Sequence, residues 1–203
     1  VPQGVNTSTN DAINAELPKW SKLKDFGLSA SMTPIMAAMA YASPTMVFLL
    51  IRSGANIDVQ CALGNDPLMH ACIRSRDDNV KAWLKQNPSW DLERVNAEGK
   101  TALHCAVSAC NPSRALVERL LKAGANARHV STSGESILTA AVKNEDSDAE
   151  LIDLLIVHMT AMGIVGSADS SSTQVSGGGG IDYRENVTSR KVRFRRWWDM
   201  FLY

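Results

Sequence analysis

Apolar and polar positions along the 203-residue chain fall into blocks, and the blocks recur. Four short apolar runs each open on a small polar residue: Thr33-Pro34-Ile35-Met36-Ala37-Ala38, Asp66-Pro67-Leu68-Met69-His70-Ala71, Thr101-Ala102-Leu103-His104-Cys105-Ala106 and Ser136-Ile137-Leu138-Thr139-Ala140-Ala141. Their starts at 33, 66, 101 and 136 are 33, 35 and 35 residues apart. A second apolar stretch follows each: Phe48-Leu49-Leu50-Ile51, Trp83-Leu84, Leu120-Leu121 and Leu154-Leu155. A further mark stands twelve residues before the next start, Gly54-Ala55-Asn56-Ile57 and Gly124-Ala125-Asn126-Ala127. At the same offset before Thr101, Ser89-Trp90-Asp91-Leu92 keeps the apolar fourth position and lacks the glycine. Periods of this length mark stacked units that bury their apolar faces on their neighbours.

Each position has a physical task. Thr, Ser or Asp can cap a helix by accepting from a free backbone N–H. Proline fits the first turn, where its missing donor is not needed. The small Ala38, Ala71, Ala106 and Ala141 predict close helix approach, and the second stretches predict a partner helix. Gly54 and Gly124 are placed to end those helices in a left-handed residue. Asn96-Ala97-Glu98-Gly99-Lys100 predicts a turn leading to the next cap. Pro88 closes the second helix of the second unit early and leaves a longer loop, Lys85 to Trp90.

These residues resemble the ankyrin repeat, a β-turn plus two antiparallel helices with the signature T-P-L-H-x-A. Asn96 to Val130 matches it best, and the resemblance covers about Ser31 to Gly163. It implies an all-α solenoid of about four helix-turn-helix repeats with short β-turn tips, acting as a non-catalytic interaction scaffold. The family's His stands only at His104; Met36, Met69 and Thr139 replace it, so those turns are expected to be looser or differently satisfied.

The resemblance also implies where a protein partner would sit, on the turn tips and the exposed side of the first helices. Carried over by position, the second repeat offers Ala62, Leu63, Asn65, Ile73 and Arg74, and the third offers Ala97, Glu98, Lys100, Ser108 and Ala109. The fourth offers Thr132, Ser133, Glu135, Lys143 and Asn144, and the first adds Met32 and Tyr41. Tyr41, Ile73 and Arg74 are the expected anchors, with Leu63 next and Asn65, Glu98, Lys100, Glu135 and Lys143 around them.

Outside the repeats, Ile13, Leu17, Trp20, Leu23 and Phe26 form a helical stripe, broken by Pro18, that would cap the first repeat within residues 1–30. Residues 164–180 read as a Gly/Ser linker. Residues 181–203 carry Arg184, Arg190, Lys191, Arg193, Arg195 and Arg196 ahead of Trp197, Trp198, Phe201 and Tyr203. That tail reads as disordered, or as a segment for an anionic membrane surface or a partner groove. The membrane reading would make the chain the cytosolic ankyrin part of a channel-like protein; single-stranded nucleic acid is the weakest reading.

Composition adds limits. Lys and Arg number 21 against 21 Asp and Glu, which argues against coating nucleic acid through the overall field. Aromatic residues are 6%, and the Ala and Leu content favours helices. Cys61, Cys72, Cys105 and Cys110 form no C-x-x-C pair, so reduced thiols in the cytoplasm are expected, with Cys72 buried and Cys105 partly exposed. Val1 to Asn10 shows no signal-peptide pattern, and no stretch approaches about 20 apolar residues. The four histidines occupy unrelated repeat positions, and the run Glu145 to Glu150 suits a helix N-terminus better than a calcium loop. No nucleophile triad, phosphate loop or H-E-x-x-H occurs, so no catalysis, cofactor, metal or small-molecule substrate is expected. Trp90 could lie beneath the long loop or face a partner.

Overall fold

A computed structural model describes residues 14–15 and 32–161. Within these, eight helices form four pairs. They are α1 (Pro34–Tyr41) with α2 (Pro44–Arg52), α3 (Pro67–Ile73) with α4 (Asp77–Gln86), α5 (Ala102–Val107) with α6 (Arg114–Lys122), and α7 (Ile137–Lys143) with α8 (Ala149–Ala161). The described residues hold no strand, only an isolated bridge between Val130 and Ser136. First helices stack on first helices and second on second, the packing of an all-α solenoid.

The caps explain where the first helices begin. Thr33, Asp66, Thr101 and Ser136 all sit in extended backbone just ahead of them. In the third repeat the Thr101 hydroxyl accepts from the His104 N–H at 3.5 Å, and the Thr101 N–H donates to His104 Nδ1 at 3.4 Å. His104 Nε2 lies 3.3 Å from the Glu135 carbonyl, so one neutral ring donates to the next repeat and accepts within its own. Burial lowers the His104 pKa and favours that neutral form.

Where the histidine is missing, each turn is satisfied in another way. Asp66 accepts from the Met69 N–H at 2.8 Å with a carboxylate. Ser136 accepts from the Thr139 N–H at 3.2 Å, and the two hydroxyls meet at 2.9 Å. Thr33 makes no side-chain cap bond, and its buried hydroxyl has no partner among the described residues.

Ala38, Ala71, Ala106 and Ala141 are all buried, Ala106 at 1% exposure, and no larger residue would fit there without displacing a neighbouring helix. Trp83 is fully buried and Trp90 meets it edge-on, ring centroids 5.0 Å apart, so Trp90 lies under the long loop. The Arg94 guanidinium lies over the Trp90 ring, 5.0 Å from its centroid. Cys72 is buried as expected. Cys105 corrects the expectation of partial exposure: it is 6% exposed, and burial pushes its thiol up to about 12.

Two asparagines tie repeats together. Asn79 on α4 is fully buried and its amide donates to the carbonyls of Met39 at 2.9 Å and Ala42 at 3.0 Å, where α1 ends. Asn144 does the same after α5, donating to Val107 and Ala109 at 2.8 Å each. These carbonyls have no partner within their own short helices. The proposed N-terminal cap, linker and tail lie outside the described residues, apart from Asn14, whose Oδ1 accepts from the Asn56 N–H at 2.6 Å.

Candidate partner-binding face

Three turn tips project from the described repeats. Each closes on itself: Cys61 N–H to Asn65 O, Asn96 N–H to Lys100 O and Ser131 N–H to Glu135 O, all at 3.0 Å. Each later tip also donates to the one before it, Ala97 N–H to Leu63 O and Thr132 N–H to Glu98 O, again at 3.0 Å. The tips are thus rungs of one ladder. Gly64 and Gly99 make this approach feasible, because a Cβ would lie 2.7 Å from Ala97 N or from Thr132 Cγ2. Both also have positive φ, 74° and 69°.

Beside the ladder stand the ends of the first helices. Arg74 donates to the Tyr41 hydroxyl at 2.7 Å and places its guanidinium carbon 5.1 Å from the ring centroid. Tyr41 is 42% exposed and Leu63, at its tip, 56%. Lys100 pairs with Glu98 at 2.7 Å and Lys143 with Glu135 at 3.0 Å. The Glu98 hydrogen bond raises the Lys100 pKa, so that ammonium stays charged. The face is therefore an aromatic–guanidinium platform and an exposed leucine, followed by two neutralised ion pairs.

Several expected residues are placed differently. Asn65 is buried and accepts from the Asn96 amide at 2.9 Å, so it braces two tips and does not face a partner. Ile73 is half-buried against the core and presents only an edge. Met32 and Ala109 are buried, since both pack inside the stack. Asn144 is half-buried and engaged with α5. Glu135 keeps its ion pair but is also half-buried. Arg193, Arg195, Arg196, Trp197 and Trp198 lie outside the described residues.

Sequence reasoning missed the ties behind this face. Asn79 stands four residues before Trp83 on the buried stripe of α4, and a polar residue in that phase is the signal that could have found it. Ser75 is a further tie between repeats. It holds φ at 51° after α3, and its hydroxyl donates to the Asn111 carbonyl of the next repeat.

Residues 35–126 match the family model "Ankyrin repeats (3 copies)". The repeats belong to the ankyrin family. The chain is 31% identical over 127 residues to human Rabankyrin-5, an alignment covering 62% of this chain and 10% of that protein. It is 32% identical over 152 residues to the mouse B-cell lymphoma 3 protein homolog, covering 73% and 33%. The match thus spans a tenth to a third of these two relatives. Ankyrin repeats give the chain a protein–protein interaction role.

Proposed function

We propose that the chain is a non-catalytic scaffold that seats a protein partner on the ladder of tips and the adjoining ends of the first helices. The observation that carries this is the Tyr41–Arg74 platform, a rigid aromatic with a forked cation over it at the ends of α1 and α3, with Leu63 adding an exposed apolar side chain on the tip ahead of α3. Aromatic and arginine side chains carry most interface energy when a partner desolvates them. Glu98–Lys100 and Glu135–Lys143 would then form a polar rim that sets orientation more than affinity. Four free cysteines, three of them buried, support a reducing cytoplasmic location.

The test is side-by-side capture by the native chain and by a chain carrying Tyr41→Ala, Leu63→Ala and Arg74→Ala, at matched melting temperature. Binding should be lost from the variant. Retention would move the site to the outer tips, Ala97 to Lys100 and Thr132 to Ser133. A second reading rests on the Arg193 to Trp198 sequence, in which the ankyrin part lies at the cytosolic face of a bilayer and the tail touches anionic lipid. No described helix is long and apolar enough to cross a membrane.

A further inference from the structure

The outer face of α8 has no following repeat among the described residues. At 13 residues α8 is longer than α2, α4 and α6, which have 9, 10 and 9. Its exposed stripe begins acidic, at Glu150 and Asp153, and turns apolar at Val157, which is 61% exposed, with Leu154 half-buried beside it. The loop ahead of it adds Glu145, Asp146 and Asp148, and residues 144 to 161 contain no Lys or Arg. Glu150 is engaged by Arg114 and Asp148 caps Leu151, whereas Glu145, Asp146 and Asp153 have no ion-pair partner among the described residues.

One other part of the chain has the complementary order. Arg190, Lys191, Arg193, Arg195 and Arg196 set five cations against these five acids, and Trp197, Trp198 and Phe201 follow them as Leu154 and Val157 follow the carboxylates. We propose that residues 190 to 203 dock on this outer face of α8, cations on the acidic end and aromatics on Leu154 and Val157. The 28 residues from 162 to 189 are Gly- and Ser-rich in sequence, and a linker of that length and composition spans roughly 30 Å. Returning along α8 needs about 20 Å, so the linker spans it and holds the tail at millimolar effective concentration. The docked tail would cover this face of α8 and withhold its aromatics from other partners.

The test uses the full chain and chymotrypsin, which cuts after Trp197, Trp198 and Phe201. Glu145→Lys with Asp146→Lys and Asp153→Lys breaks no described ion pair and should lower the melting temperature only slightly, through the lost acidic charge ahead of the α8 N-terminus. It should speed cleavage of the tail about tenfold, the sum of three exposed pairs of roughly 0.5 kcal/mol each. Arg193→Glu with Arg195→Glu and Arg196→Glu, made alone, should do the same. The two sets combined restore opposite charges and should return the slow rate. Equal cleavage in all four chains overturns the proposal. So does a rate indifferent to the acidic residues but slowed by phosphatidylserine vesicles, which would assign the tail to lipid. None of these changes touches Tyr41, Leu63 or Arg74, so the outcome is separate from the fate of the binding face.

Discussion

Asn79 donates to the carbonyl of Met39 at 2.9 Å, joining α4 of one repeat to the end of α1 in the repeat before it. The same amide reaches Ala42 at 3.0 Å, so its donors are shared among carbonyls that α1 leaves open. Asn79→Ala removes the donors and strands those carbonyls in a dry interface. A loss of about 2 to 3 kcal/mol in urea unfolding is expected. Asn79→Asp should be worse, since a buried carboxylate would face the same oxygens. An unfolding midpoint unchanged in both would show that the amide carries no share of the repeat junction.

Gly99 and Gly134 give a matched pair of substitutions. Both have positive φ, 69° and 80°, but a Cβ on Gly99 would meet Thr132 N at 2.8 Å while nothing lies within 4 Å of one on Gly134. Gly134→Ala should cost only the left-handed strain, about 1 kcal/mol. Gly99→Ala should cost at least twice that, because the next rung must move. Equal losses by chemical denaturation would mean the ladder is not tightly closed at that rung.

Acid should weaken the fold through its buried histidines. Burial lowers the His70 pKa to about 4, with the Arg74 charge adding to it, against 6.5 for the free side chain. The unfolded chain therefore binds a proton first as the pH falls, and stability drops between about pH 6.5 and 4. By pH 5 the loss from this residue is about 2 kcal/mol. His104 shifts the same way. Asp66, raised by burial, acts in the opposite sense and returns some stability as the pH reaches the carboxylate range. His70→Ala, which the repeat alignment tolerates at Ala37 and Ala140, should flatten the melting temperature between pH 7 and 5. A slope as steep as the native one would exclude His70 as its source.

Ala106 lies between close-packed helices at 1% exposure. Ala106→Asp would bury an unpaired charge there and should cost about 3 to 5 kcal/mol. Circular dichroism during urea unfolding reads it directly, and a native-like midpoint would break the repeat register.

Most of the fold was legible because its signals are local. A cap at Asp66, a proline at Pro67 and a small residue at Ala71 declare a helix start and its packing within six residues. The candidate binding face was less legible. Leu63 and Tyr41 are exposed as the repeat position implies, but Asn65 turns inward because its partner, Asn96, belongs to the next unit 31 residues away. Cys105 failed for a related reason: its cover comes from neighbouring repeats, and single-repeat periodicity carries no information on them. Thr139 restoring a cap through a hydroxyl pair was foreseeable only as some different solution.

The hydrogen bonds between tips run one way, each rung giving its N–H to the rung before. Gly134 keeps the left-handed bend of Gly64 and Gly99 although no follower crowds it. The third tip is thus already shaped as a landing site, and the positions equivalent to Leu63 and Glu98 place Ser133 O as the acceptor that another rung would use. A grafted 35-residue unit would find its first tip contact prepared at that rung.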